Sequence, residues 1–244
     1  MSMIQNSENE ISFLSTIRKA VAPDRDTARH KADFPDLFAT KDARHIQQRI
    51  QSREDIDLQG LAASFKDNAA ALNLSVYIVD SSDEAADVIE DIVRVSQPEF
   101  GTSRQIIQHA HPDIAELRLW ERFSDTPIAL HTTYKEDPQI RDKTVSSYIG
   151  ITVADWGISE SSTLVQITGA DRPRSTSLVP SIHIGLLRKS KLLSSLAEAY
   201  AMLKREAIPN SFTFITGPSK TADIEAHMVH GAHGPKEMHV IIMD

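Results

Sequence analysis

The chain has 244 residues, and its 26 Lys and Arg stand against 34 Asp and Glu, giving a formal net charge of −8. That balance excludes a broadly basic nucleic-acid scaffold, and the absence of cysteine excludes disulfides, thiolate nucleophiles and thiolate-held zinc or iron–sulfur groups in this chain. The 41% of hydrophobic residues can fill an ordinary core. No run approaches the roughly 18 uninterrupted apolar residues of a membrane span, and the opening MSMIQNSENE lacks the basic flank and apolar stretch of a signal peptide. The expectation is a cytoplasmic protein that engages neither membrane nor nucleic acid.

Ile11, Leu14, Ile17 and Val21 recur at helical spacing and Pro23 ends the pattern, which predicts a short amphipathic helix. From there to about residue 60 the chain is polar, with scattered Phe34, Leu37, Phe38, Ile46 and Ile50. Residues 1–60 therefore read as a helical arm too poor in apolar area to stand alone, which leaves self-association open. Residues 61–244 read as an α/β domain. Leu61, Phe65 and Leu72 share a helix face, Val76–Val79 is a buried strand, and Ala85, Val88, Ile89 and Ile92 mark a second helix. Ile106–Ile107, Ile114–Leu119 and Ile128–Leu130 are apolar but interrupted by Pro112 and Pro127. Further on, Tyr148–Val153, Thr163–Ile167, Ile182–Leu187, Phe212–Ile215 and Met238–Met243 read as strands. Leu192–Leu203 reads as a helix with Leu193, Leu196, Tyr200 and Leu203 inward. Helix and strand in close order predict a largely parallel sheet, with one continuous sheet as the simplest architecture.

Ligands of open α/β sheets bind beyond the carboxyl ends of the strands, and four polar clusters follow predicted strands here. In Gly150–Thr163, Asp155 and Glu160 stand five apart across a Gly-containing turn, a spacing that lets both carboxylates reach one pocket; the plainer reading is a turn-stabilising Asp and a solvated Glu. Arg174, Ser177 and His183 offer a guanidinium, a hydroxyl and an imidazole suited to an anion, although a surface Arg and a half-buried strand His would look the same. Gly217, Ser219, Thr221 and Asp223 describe a helix start whose free amides can hold an anion, equally a capped helix with no ligand, and the order is not that of a Walker A loop. His227 and His230 would share a helix face and, with His233, could ligate zinc. The breaks at Gly231 and Gly234-Pro235 and the missing His-Glu-x-x-His pattern argue for a ligand loop at His233 and Gly234, and no metal is assigned.

In order, Gly150-Ile-Thr-x-Ala-Asp155-x-Gly-Ile-x-Glu160-x-x-Thr163, Arg174-x-x-Ser177-Leu-x-Pro180-x-x-His183, Gly217-Pro-Ser219-x-Thr221-x-Asp223-Ile-Glu225 and Gly231-x-His233-Gly-Pro-x-Glu-x-His239 resemble the LUD-domain family over about residues 60–244. The resemblance implies a Rossmann-like, mostly parallel sheet related to ribose-5-phosphate isomerase, glucosamine-6-phosphate deaminase and CoA transferases. It also implies a part in bacterial oxidation of L-lactate to pyruvate, beside partner proteins of which at least one carries iron–sulfur clusters. The absence of cysteine agrees with that division of labour. One departure stands out: the family usually reads Ala-Glu-Thr-Gly-Thr where this chain has Ser159-Glu160-Ser161-Ser162-Thr163, so the residue with easy access to positive φ is replaced.

The expected function is a subunit of a lactate-utilization system that binds a small anion or a phosphorylated cofactor of unknown identity. Arg174, Ser177, His183 and the amides after Gly217 would hold the charge, with Thr163, Ser219, Thr221, His233 and Gly234 around it and Glu160 or Asp155 handling protons. Two alternatives remain: a stand-alone sugar-phosphate or CoA-thioester enzyme acting through Glu160, and a binding module without catalysis. Whether the chain is itself an enzyme is left open. All three readings expect Glu160, Arg174, His183 and Ser219 to converge at one edge of the sheet.

Overall fold

A computed structural model describes residues 8–21, 44–99, 101–204, 211–222, 228–230 and 234–244. The chain divides into two units, Met1–Asp42 and Ala43–Asp244. In the first, the amphipathic helix spans Glu8–Val21, with Phe13, Leu14 and Ile17 exposed. The strands among the described residues all lie in the second: β1 (Ser75–Val79), β2 (Arg104–His109), β3 (Ile128–Thr133), β4 (Ile149–Val153), β5 (Trp156–Ile158), β6 (Thr163–Ile167), β7 (Ile182–Arg188), β8 (Leu192–Leu193), β9 (Phe212–Ile215), β10 (Lys220–Ala222), β11 (Met228–His230) and β12 (Glu237–Met243).

Six of these form an all-parallel sheet in the order β1-β12-β7-β4-β2-β3. Its central strands are near-continuous apolar runs because layers cover both faces. On one face, Ile149, Ile151, Val153, Ile184, Leu186, Ile241 and Met243 pack under the helix Ser82–Val95 and the short helices Pro112–Glu116 and Leu119–Arg122. The helix Ser82–Val95 starts where the Ser81 hydroxyl accepts from the Glu84 amide at 3.2 Å, and it turns Ala85, Ala86, Ile89, Ile92 and Val93 inward.

The expected single sheet is corrected on the other face. A second sheet, β8-β5-β6-β9, lies there with the helix Asp55–Ala69, joined through Leu164, Leu187, Leu192, Val240 and Phe65. The reason is local. Both edges of β4 are taken by β2 and β7, and only two residues separate β4 from β5, so the chain leaves the sheet and pairs antiparallel with β6. Phe212, Phe214, Ile158, Val165, Ala199 and Leu203 pack on the far side of this second sheet.

Further local expectations change. Leu192 and Leu193 form β8 and the helix begins only at Leu196, so Leu193 and Leu203 are buried but Leu196 and Tyr200 are exposed. The helix start expected after Gly217 is instead β10, paired antiparallel with β11, where local capping signals give way to hairpin pairing. His230, expected on a helix face, sits in β11, whereas Asp223, Glu225, His227 and His233 lie outside the described residues. The helix Arg44–Gln51, expected in the arm, is fastened to the larger unit. Arg49 and Arg53 donate to the buried Glu198 carboxylate at 2.9 and 2.7 Å, and Arg53 also reaches the Leu192 carbonyl at 3.1 Å.

Candidate functional site

The polar residues of the larger unit fall into three places. The first lies at turns of the second sheet. Thr163 opens β6, its hydroxyl 2.7 Å from that of Thr216 and 2.8 Å from that of Ser161. Gly217 follows at φ +73, and a Cβ there would lie 3.2 Å from the Leu72 Cβ, so a side chain would be both strained and crowded. The Ser219 amide donates to the Pro235 carbonyl at 2.8 Å, and Gly234 lies against the Ser219 side chain. Segment 161–163 is thus joined to Thr216 through hydroxyls, and the turn that follows is joined at Ser219 to 234–235, where the Ser219 amide is taken by the Pro235 carbonyl. Thr221 is in β10 beside them in sequence, and His233 lies outside the described residues. Ser162, standing where the resemblance leads one to expect Gly, keeps the left-handed turn at φ +47, and its buried hydroxyl donates to the Phe65 carbonyl at 2.6 Å.

Asp155 and Glu160 do not share a pocket. They stand at opposite ends of β5: the Asp155 carboxylate accepts from the Ile167 amide at 2.6 Å and from Arg172 at 3.1 Å, whereas Glu160 Oε1 accepts from the Leu196 amide at 2.7 Å, at the start of the helix Leu196–Leu203. The expected convergence of Glu160, Arg174, His183 and Ser219 at one edge is likewise not found. Arg174 is exposed at the start of the four-residue helix Ser175–Leu178, where Ser177 donates its hydroxyl to the Arg174 carbonyl at 3.0 Å.

His183 belongs to the second place, a polar layer between the two sheets. Along β4 and β7, the residues opposite the apolar face are Gly150, Thr152, His183 and Gly185, in mutual register. The Thr152 hydroxyl lies 2.8 Å from His183 Nε2. From β2, His109 joins this side; its Nε2 lies 3.3 Å from both the Pro173 carbonyl oxygen and the Gln166 Nε2 of β6 and can serve only one of them, donating to Pro173 in one tautomer or accepting from Gln166 in the other. His109 Nδ1, His183 Nδ1, Gln166 Oε1 and Thr176 Oγ1 are all buried with no partner among the described residues. Burial pushes His183 down to about 3, helped by the nearby His109 and His239. It pushes His109 down to about 4 against the opposing Pro173 carbonyl. Both imidazoles are neutral near pH 7.

The third place is a cleft of about 380 Å³ at the carboxyl ends of β2 and β3, lined by Gln108, His111, Ile114, Trp120, Thr132 and Tyr134 among others. Here the chain leaves β2 toward the helical face, whereas after β4 it leaves toward the second sheet. Sequence reasoning missed this place and the His109 layer. The usable signal was Gln108-His109-Ala110-His111 directly after the apolar pair Ile106–Ile107, the same polar-after-strand pattern that singled out the other clusters. Among the described residues no group of three or more His, Asp or Glu side chains could hold a metal.

The LUD domain matches residues 62–243, most of the chain, and the chain belongs to the LUD-domain family. Among similar proteins, lactate utilization protein C of an Exiguobacterium species is 38% identical over 108 residues, 42% of this chain and 47% of that protein. Its Bacillus subtilis counterpart is 31% identical over 125 residues, 49% of this chain and 52% of that one. Escherichia coli YkgG, described as uncharacterized, is 39% identical over 102 residues, 39% of this chain and 44% of that one. The chain thus matches about half the length of these relatives. A crystal structure of a DUF162 family protein from Deinococcus radiodurans superposes with a TM-score of 0.51 at 17% identity, covering 77% of this chain and 98% of that one, a likeness of fold. It agrees with the mostly parallel α/β sheet. Among the described residues no helix is long and apolar enough to cross a membrane.

Proposed function

We propose that this chain is a subunit of a bacterial L-lactate oxidation system, and that it holds a small anion or a phosphorylated cofactor while iron–sulfur partners carry the electrons. Relatives named lactate utilization protein C support the first part. Converting lactate to pyruvate releases two electrons and two protons, and a chain with no cysteine has no cluster ligands of the usual kind to receive those electrons. The observation that carries the site is the meeting of Thr163, the turn after Gly217, Ser219 and Gly234 from three separate segments. Hydroxyls, whose O–H can turn toward a ligand, stabilise an oxyanion without a buried cation to desolvate. Arg174 and His183, which lie elsewhere, are not needed for this grip.

Deleting the gene in its host should abolish growth on L-lactate, and the wild-type gene should restore it. Complementation with Thr163→Val or Ser219→Ala should restore growth only partly. Undiminished growth of the deletion strain removes the lactate assignment; full rescue by both variants removes the site and leaves the assignment standing.

A further inference from the structure

The run Arg174–His183, which the proposed anion place leaves unused, belongs to the connection from β6 to β7 and crosses the polar side of the parallel sheet. Its helix Ser175–Leu178 packs on β4, β7 and β2. The Thr176 carbonyl rests where a Gly150 Cβ would be, Pro180 lies against the same glycine, and the Pro173 carbonyl stands 3.3 Å from His109 Nε2. Gly150 is in register with His183, so this segment covers the imidazole layer. The cover is built the wrong way round for a permanent seal. Thr176, Ser177 and Pro180 are its buried residues, whereas the larger apolar Leu178 and Val179 are 38% and 47% exposed. Among the described residues, every hydrogen bond of 174–180 stays within 173–180: the Thr176 amide donates to Pro173, the Ser177 amide and hydroxyl to Arg174, and the Val179 amide to Ser175. The flanks are fastened instead. Asp171 accepts from the Ala110 amide on its carbonyl at 3.3 Å and from the Lys135 amide on its carboxylate at 3.0 Å. Arg172 donates to Asp155 at 3.1 Å, and the Ser181 carbonyl accepts from the Lys236 amide at 2.8 Å.

Four polar atoms lie in or under this cover with no partner among the described residues: His109 Nδ1, His183 Nδ1, Gln166 Oε1 and Thr176 Oγ1. Folded chains rarely enclose such atoms, and lifting the cover gives them to water while little apolar contact is lost. We propose that residues 173–180 form a lid, fixed at Asp171–Arg172 on one side and at Ser181 on the other, that opens while both sheets stay folded and uncovers His109 and His183. Opening turns two enclosed neutral imidazoles into accessible proton acceptors. The inference does not rest on the lactate reading, which concerns other residues.

The full chain is treated at neutral pH with diethyl pyrocarbonate, which acylates neutral imidazole, at rising urea below the unfolding transition, and adducts are located by peptide mass spectrometry. His183 should be acylated at a rate almost independent of urea, because a local opening exposes little surface. Arg172→Leu, which frees one flank of the lid, should raise that rate about two- to fivefold, the worth of one partly exposed ion pair. The chain has no cysteine, so Ser177→Cys and Val93→Cys each carry a single thiol. The first lies in the lid and the second in the core of the helical face, both 1% exposed. The Ser177→Cys thiol should react with a thiol reagent faster than that of Val93→Cys and with the flatter urea dependence. His183 acylation that rises with urea in step with global unfolding overturns the inference, as does a Ser177→Cys thiol no more reactive than that of Val93→Cys. The His183 measurement on the unaltered chain decides even if the variants fail to fold.

Discussion

The two faces of the parallel sheet are built from the same strands and behave as different materials. In β4 the sequence Ile149-Gly150-Ile151-Thr152-Val153, and in β7 the sequence Ile182-His183-Ile184-Gly185-Leu186, put branched apolar residues on the helical side and glycine, threonine and histidine on the other. The helical face is sealed by side-chain packing. The opposite face lets backbone come close, with the Thr176 carbonyl resting where a Gly150 Cβ would be, and it encloses imidazoles and amides whose hydrogen bonding is incomplete. Alternation within a fully buried strand therefore marks the presence of a second, closer layer, not solvent.

Substitution should expose this asymmetry most strongly at Gly150. An added Cβ would lie 1.9 Å from the Thr176 carbonyl oxygen, backbone that has no rotamer to yield. Gly150→Val should cost about 3–5 kcal/mol or prevent folding, against about 1 kcal/mol for Ile151→Val one residue along. Urea unfolding of both variants decides, and similar costs at the two positions would break the contrast.

Acid should come next. His183 and His109 have folded pKa values of about 3 and about 4, below the ordinary 6.5, so the unfolded state binds more protons between those limits. Stability is therefore whole above pH 6.5 and falls as pH drops toward 4, by about 1.4 kcal/mol per pH unit for each histidine. His183→Gln should flatten the pH dependence by about one histidine's share. An unchanged slope would mean that the imidazole titrates in contact with water.

Smaller effects are expected around β6. Ser162→Ala removes the buried donor to the Phe65 carbonyl and should cost about 1–2 kcal/mol. Ser162→Gly loses the same bond but relieves the positive φ, so its melting temperature should lie above that of Ser162→Ala. The least change belongs to Glu160→Gln, because an amide oxygen still accepts from Leu196, and its stability should stay within about 1 kcal/mol of wild type. Loss of lactate growth at unchanged stability would give Glu160 a chemical role beyond holding a helix start.

Much of this fold is legible in the sequence because its central strands are short apolar runs bounded by polar turns; Tyr148–Val153, Ile182–Leu187 and Met238–Met243 all fall on strands of the parallel sheet. What is not legible is partner choice. Nothing local says that Trp156–Ile158 leaves the sheet, or that Leu192–Leu193 adds a two-residue strand to β5, since both follow from which edges are already occupied. At Gly217–Thr221 the local helix-start signals were outcompeted by pairing with a segment eight residues on. The site shows the same split. Thr163 meets Thr216, and Ser219 meets Gly234 and Pro235, whereas Asp155 and Glu160 serve backbone amides, and the Gln108–His111 run, followed by Pro112, carries a polar-after-strand signal that the interrupted apolar pattern obscures.

The central functional claim is that three distant segments form one anion-holding place. Calorimetric titration of the full chain with inorganic phosphate and with L-lactate tests it most directly. The account predicts saturable binding of at least one, weakened about three- to tenfold by Thr163→Val and by Ser219→Ala and unchanged by Arg174→Gln. Absence of binding by both anions, or binding that only Arg174→Gln weakens, would contradict it.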